Sequence, residues 1–170
     1  MNINLILICT LLILSFLLES SAALLNLRAL KPHPPEEFSE DYSDAEYSRM
    51  LAYTRQRTRY SLLRDSVFLV LTLGFLLVGG FNQVDLLARS PGFGPIVTGL
   101  LFTAALALLS TALQLPFSIY STFVLEARFG FNTTTVRTFV LDQLKEALLA
   151  ILLGAPLLAA ILWFFQETGS

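Results

Sequence analysis

Four apolar segments constrain this chain more than any other feature of its sequence. They cover residues 3–25, 62–81, 95–115 and 147–165. Each approaches the roughly 20 residues that an α-helix needs to cross about 30 Å of hydrocarbon. Because lipid offers the backbone no hydrogen-bond partners, we expect these segments to be helices. The pattern predicts an all-α, polytopic membrane protein with about four transmembrane helices, built as a single membrane domain over residues 1–170.

The composition also favours a membrane protein. Of the 170 residues, 55% are hydrophobic and only 14% are charged, against about 25% charged in a typical soluble domain. The mean hydropathy is +0.67. One small core could not hide so many apolar side chains, so the lipid bilayer is the expected partner. With a formal net charge of −2, the chain lacks the basic balance of a nucleic-acid-binding protein, and no nucleic acid is expected.

The distribution of basic residues predicts the orientation in the membrane. Segment 26–65 carries seven lysines and arginines and segment 116–146 carries three, whereas segment 82–94 has only Arg89. Cytoplasmic loops are enriched in these residues. We therefore predict cytoplasmic segments at 26–61 and 116–146, with the amino terminus outside. The style of the sequence favours a bacterial inner membrane, with the endoplasmic reticulum as the expectation in a eukaryote.

The first apolar segment has two interpretations. Ser20, Ser21 and Ala22 are small residues at which a signal peptidase could cut, which would remove residues 1–22. No lysine or arginine precedes the apolar run, however, and the run is longer than a usual signal core. We favour a retained helix. Glu19 near its end is then expected at the level of the lipid headgroups, the alternative being a functional carboxylate within the membrane.

Local signals predict where several elements begin and end. Ser43 followed by Glu46 forms a capping box that should start a helix. The Pro-Gly-Phe-Gly-Pro cluster at residues 91–95 predicts a turn, and segment 82–94 is expected only to connect the second and third spans. In the fourth span, Pro156 is expected to cause a kink.

A polar-studded run between the third and fourth spans is the most individual part of the chain. Pro116 is expected to end or kink the third span, after which a helix should resume over residues 118–129. Gly130 is well placed to stop that helix with a positive φ. Phe131 would then fold back on the last turn. The segment is predicted to be a cytoplasmic helical hairpin that extends spans three and four.

The second arm of this hairpin is expected to start near residue 134. Asn132 or Thr133 could cap it. Asp142 and Lys145, three residues apart, share a helix face and could pair, which would contribute only a few tenths of a kcal/mol if they are exposed.

The residues of this run resemble the type I CAAX prenyl endopeptidases, which are integral-membrane zinc metalloproteases, and in particular their amino-terminal membrane domain. A second stretch, YSRMLAYTRQRTRY from Tyr47 onward, is similar to the cytoplasmic segment that follows the family's first helix. The residues of the first run that carry the resemblance are Pro116, Tyr120, Glu126, Arg128, Phe129, Gly130, Phe131, Asn132, Phe139, Asp142 and Lys145.

The resemblance implies seven membrane helices around a chamber and a zinc site built from H-E-x-x-H with a downstream glutamate. This chain has one histidine, His33, which is followed by two prolines, and it contains no H-E-x-x-H. No catalytic residue and no metal ligand is therefore predicted here. Zinc is expected only in a catalytic part that this sequence does not contain, and we expect the chain to be truncated before that part.

The resulting hypothesis is an amino-terminal membrane scaffold of a CAAX-type zinc endopeptidase that cleaves prenylated or other membrane-associated peptides. The scaffold would be inactive alone, with the catalytic half of the protease as its possible partner. The alternative is a stand-alone membrane interaction or structural protein without catalysis, which would bind a partner through the basic segment 26–65.

Overall fold

A computed structural model of the chain describes residues 3–32 and 43–168, and the single histidine lies outside these ranges. Within them the regular elements are all helical, so the all-α prediction is confirmed. In chain order they are α1 (Ile3–Ala29), α2 (Asp44–Leu77), α3 (Gly80–Arg89), α4 (Pro95–Tyr120), a π-helical segment (Ser121–Glu126), α5 (Ala127–Phe129), α6 (Val136–Leu149), a second π-helical segment (Ala150–Gly154) and α7 (Ala155–Thr168).

Four of the described helical stretches are long and apolar enough to cross a membrane, as the sequence predicted. They are Ile3–Ala29, Asp44–Leu77, Pro95–Phe129 and Val136–Thr168. In the described part of the chain, Ala88 and Leu125 are the buried hydrophobic residues, while most long apolar side chains are exposed. Such exposure is what a helix that faces lipid requires, because lipid tails solvate apolar side chains.

Helix α2 begins where the capping signal predicts. The Ser43 hydroxyl accepts a hydrogen bond from the Glu46 backbone N–H at 3.3 Å, and the Ser43 N–H donates to Glu46 Oε2 at 3.2 Å. The helix then continues without a break for 34 residues, a length of about 50 Å at 1.5 Å per residue. This is longer than the hydrocarbon layer, so the polar amino-terminal half of α2 extends beyond it.

The connection between the second and third spans differs from its prediction. The second span was expected to reach residue 81, but α2 ends at Leu77, and Gly79 adopts a left-handed φ of 70°. A further helix, α3, follows, and its Arg89 donates to Asp85 at 2.7 Å. This hydrogen bond lowers the pKa of the Asp85 carboxyl. Because an i, i+4 ion pair supports a helix, residues 80–89 are more than a connector.

The turn at residues 91–95 is confirmed. Gly92 has a φ of 73°, and its N–H donates to the Arg89 carbonyl at 3.0 Å.

Pro116 was expected to end or kink the third span. It does not end the span, because α4 continues through Pro116 to Tyr120; a proline removes only one backbone N–H donor. The kink stays a prediction. The predicted cap of the next helix is wrong. Neither Asn132 nor Thr133 caps the next helix. Thr135 does so, with its hydroxyl accepting from the Thr138 N–H at 3.2 Å. Thr135 is the extended residue directly before the helix, and a cap must lie there.

The second π-helical segment ends two residues before Pro156. The proline ring lacks an N–H and crowds the carbonyl four residues earlier, which here belongs to Leu152 within that segment. A π-helical turn is one of the recognised ways in which a helix bends.

The chain divides into two compact units. The first comprises Met1–Val78 and Ile119–Asn132, and the second comprises Gly79–Ser118 and Thr133–Ser170. In the first unit, α1 packs along α2, and α2 also contacts the π-helical segment of residues 121–126. In the second unit, α4 and α7 approach each other closely: a Cβ atom at Gly99 would lie 2.6 Å from Leu162 Cδ1.

Candidate functional site

The two stretches that carry the family resemblance contact each other within the first unit. The Tyr53 ring on α2 packs edge-on against Phe129, with centroids 5.5 Å apart, and against Phe131, with centroids 4.8 Å apart. Tyr60, two turns further along α2, stacks on Tyr120 with centroids 5.0 Å apart. We call these five residues the aromatic seam. Sequence reasoning identified both stretches but did not predict that they meet.

Helix periodicity explains why α2 can present both tyrosines to the same neighbour. Tyr53 and Tyr60 are seven residues apart, so they lie on one face of the helix. Aromatic pairs at these separations contribute about 0.5–1.5 kcal/mol each beyond the area that they bury. The seam therefore fixes residues 119–132 against α2 by specific side-chain contacts.

The backbone at Gly130 places the two phenylalanines of the seam. Gly130 has a φ of 76°, and its N–H donates to the Ala127 carbonyl at 3.1 Å. The Phe131 N–H reaches back to the Glu126 carbonyl at 3.0 Å. These two bonds are those of a Schellman motif, which confirms the predicted glycine stop and the fold-back at Phe131. Phe129 and Phe131 flank the glycine and so both reach Tyr53.

The π-helical segment before this stop carries Leu125, a fully buried side chain among the described residues of the unit. Leu125 is 1% exposed. A π-helical turn has one more residue than an α-helical turn, and such turns are frequent at functional sites. Glu126, the last residue of the segment, is half-buried, whereas Arg128 in the following turn is exposed.

A cation lies beside the seam. The Arg57 guanidinium carbon is 5.8 Å from the Tyr53 ring centroid, and its Nη1 donates to the Tyr53 hydroxyl at 3.4 Å. Arginine over an aromatic face is a favourable cation–π arrangement. Arg57 thus has a contact of its own in addition to the topological role that its basic neighbours suggest.

The remaining residues of the predicted motif fall in the second unit or at its edge. Lys145 Nζ lies 3.3 Å from Asp142 Oδ1, so the predicted pairing is confirmed, and both side chains are exposed. Phe139 is half-buried on the same helix, and Pro116 lies exposed inside α4. Asn132 is half-buried after the Schellman stop.

Over residues 3–32 and 43–168, no group of three or more His, Cys, Asp or Glu side chains is placed to hold a metal ion. The arrangement that these residues do form is a packing surface, in which two polar segments of a membrane protein are held together by aromatic rings.

Comparisons with known proteins define the class to which this architecture belongs. The family model described as the CAAX prenyl protease N-terminal region, with five membrane helices, matches residues 23–170. The chain belongs to this family. The described part of the chain contains four helical stretches that are long and apolar enough to span a membrane, and the match covers the last three of them in full.

Individual members of the family are similar to this chain over nearly its whole length. The "CAAX prenyl protease 1 homolog" of Oryza sativa subsp. japonica is 33% identical over 165 residues, which cover 92% of this chain and 39% of that protein. The homologue of Arabidopsis thaliana is 30% identical with the same coverage. The crystal structure of S. mikatae Ste24p matches 100% of this chain with a TM-score of 0.91 at 26% identity, and the match covers 41% of that structure. The chain thus spans about two fifths of the length of these relatives.

Proposed function

We propose that this chain is the membrane scaffold of a CAAX-type zinc endopeptidase that acts on prenylated or other membrane-associated peptides. Its role would be to form part of the wall around the substrate and to hold the peptide and its lipid near a metal supplied by the catalytic part of the protease. One observation carries the proposal. The whole chain matches Ste24p while covering 41% of it, and its 170 residues contain no H-E-x-x-H.

We propose further that the scaffold has no peptidase activity alone and that its partner is the catalytic part of the protease. A zincin site needs two histidines one helical turn apart, a further ligand and a glutamate that activates water. With His33 as its one histidine, the chain cannot supply this ligand set.

Purification of the full chain in detergent tests the proposed inactivity. We expect substoichiometric zinc by mass spectrometry and no cleavage of a farnesylated CAAX peptide, with the Oryza sativa relative as the active control. One tightly bound zinc per chain together with cleavage would contradict the proposal. Crosslinking in membranes tests the alternative role: a stable partner other than a protease part would favour a stand-alone interaction protein.

The proposed orientation places segments 26–61 and 116–146 in the cytoplasm, with the amino terminus outside. The predicted helical hairpin, which would extend spans three and four, then lies on the cytoplasmic side. The count of basic residues supports this orientation. The choice between a bacterial inner membrane and an endoplasmic reticulum stays a prediction.

Cysteine labelling tests the orientation, because the chain has one native cysteine, Cys9. In a Cys9→Ala background, Ser48→Cys and Ser90→Cys place single thiols at exposed positions of α2 and of the α3 end. An impermeant maleimide added from outside should label the Ser90→Cys protein and leave the Ser48→Cys protein unlabelled until the membrane is opened. The reverse pattern would show the opposite orientation.

A further inference from the structure

A polar cleft lies between α1 and α2 in the first unit. It is a different site from the aromatic seam. Its volume is about 300 Å³, and charged and hydroxyl side chains from both helices line it together with a few apolar ones. The polar lining that the argument uses is Glu19 and Ser20 on α1 and Arg57, Ser61 and Asp65 on α2.

The cleft lies at the level where both helices change character. The first charged residue of α1 is Glu19, near the end of the apolar segment of residues 3–25. On α2 the polar half gives way to the apolar span at Leu62, which also lines the cleft. Such a change marks the boundary between hydrocarbon and headgroups. A ligand in this cleft would have its polar part at the headgroup level and its apolar part against the exposed apolar residues of α1.

The cleft contains charged side chains of both signs. Asp65 is engaged, since its Oδ1 lies 2.9 Å from Arg64 Nη2 and its Oδ2 accepts from the Ser61 hydroxyl at 3.0 Å. Glu19 accepts from Ser15 on its own helix at 3.2 Å. Among the described residues no salt bridge joins Glu19 to Arg57. The cleft therefore presents a carboxylate and a guanidinium that do not neutralise each other directly.

We propose that this cleft binds the headgroup of an aminophospholipid, with its primary ammonium at Glu19 and its phosphate at Arg57. A guanidinium has five N–H donors, and the bond to the Tyr53 hydroxyl uses one of them. Charge-assisted hydrogen bonds to carboxylate and phosphate are the strong ones. The headgroup of phosphatidylethanolamine carries both charges and is neutral overall.

The same lining selects against other abundant headgroups. A choline headgroup has no N–H to donate to Glu19 and is usually held by a cage of aromatic rings. Among the residues that the structure describes, Phe16 alone contributes an aromatic ring to the lining. Anionic headgroups gain no net attraction, because among the described lining residues Glu19 and Arg57 carry balancing charges and Asp65 is paired with Arg64. The cleft thus distinguishes ethanolamine from choline by hydrogen bonding and from anionic lipids by charge.

Native mass spectrometry of the full chain in detergent micelles tests the proposal. The micelles contain either phosphatidylethanolamine or phosphatidylcholine with identical acyl chains. We expect the ethanolamine lipid to bind at least about tenfold more tightly, the ratio expected from one charge-assisted hydrogen bond. Equal affinity for the two lipids would overturn the proposal.

A matched pair of variants assigns the effect to the cleft. Glu19→Gln keeps the size of an exposed side chain and should abolish the preference for ethanolamine. Glu146→Gln, at an exposed glutamate of the second unit, should leave the preference unchanged. A preference that persists in the Glu19→Gln protein, with helix content unchanged by circular dichroism, would refute the assignment. Free phosphoethanolamine in excess should not displace the lipid, and displacement would show a site for a soluble zwitterion instead.

Discussion

The two units of this chain use different kinds of contact. In the first, the aromatic seam joins α2 to residues 119–132 through rings with specific shapes, and a polar cleft lies between α1 and α2. In the second, α4 and α7 can approach each other closely because Gly99, opposite Leu162, has no Cβ atom. Its polar groups pair locally, as Asp142 does with Lys145 and Asp85 with Arg89. Residues with individual shapes and charges, such as those of the aromatic seam, thus occur in the same chain as generic apolar helices. The family can be recognised from the sequence through the first kind of residue and not through the second.

The largest effect is expected from the aromatic seam. Tyr53→Ala removes two ring contacts and the cation–π contact with Arg57, and it should lower the free energy of unfolding by about 2–3 kcal/mol. Unfolding of the detergent-solubilised chain by a denaturing detergent measures this. Trp163→Ala is the control, because Trp163 is 57% exposed and its loss should change stability by less than about 0.5 kcal/mol. Equal losses would remove the distinction between the units.

The Schellman stop is expected to rank next. Gly130→Ala places a Cβ on a residue whose φ is 76°, which should cost about 1–2 kcal/mol. Gly74→Ala is the matched control, since a Cβ there meets nothing within 4 Å inside α2, and removal of a helical glycine should stabilise by about 0.5–1 kcal/mol. Thermal unfolding in detergent compares the two proteins. Equal shifts in the same direction would contradict the role of the left-handed conformation.

The close approach in the second unit predicts a similar but smaller loss. In the Gly99→Ala protein the new Cβ would lie 2.6 Å from a terminal methyl of Leu162. Overpacking of this kind costs about 1 kcal/mol when the neighbouring side chain can adjust. Gly154→Ala, where a Cβ meets nothing within 4 Å, supplies the comparison in the same assay. If Gly99→Ala proves neutral, the second unit is packed more loosely than its geometry indicates.

The smallest effect is a pH dependence at α3. The hydrogen bond from Arg89 lowers the pKa of Asp85 in the folded protein. A carboxyl whose pKa is lowered on folding stabilises the folded protein at any pH above its unfolded-state pKa of about 3.9. This stabilisation is lost as the pH falls through the lower pKa of the folded state. Stability measured between neutral pH and about pH 3 should therefore fall more in the wild type than in Asp85→Asn. Parallel curves would show that the pair contributes nothing.

The sequence predicted the four membrane-spanning helices correctly, whereas most wrong predictions concern the ends of helices and the connections between them. Length and hydropathy predicted four spans, and Ser43 and Gly130 carry strong local signals that hold in the structure. Helix α3 was missed although its apolar residues recur at helical spacing, because its ten residues are too few to span a membrane and the turn cluster that follows favoured a simple connection. Pro116 was expected to end or kink a helix, and it does not end one, because the loss of one backbone hydrogen bond is small against the rest of a 26-residue helix.

The candidate site was only half predictable for a related reason. The residues at both ends of the seam were identified, yet which helix faces meet depends on tertiary packing that a local pattern does not contain. The spacing of Tyr53 and Tyr60 over two helical turns was the available signal. Glu19, a charged residue near the end of an apolar segment, was the one sequence signal for the cleft between α1 and α2. The residues that line the cleft on α2 lie about 40 residues away in sequence, so no local pattern links them to Glu19.

Reconstitution of activity tests the central claim most directly. The full chain is co-expressed with the part of the Oryza sativa relative that it does not match, and cleavage of a farnesylated CAAX peptide is measured in the membranes. We expect cleavage only when both parts are present, and a reduced rate when the chain carries Tyr53→Ala. Cleavage by the chain alone, or none by the pair although both parts are stably inserted, would show that the chain is not the membrane scaffold of such a protease.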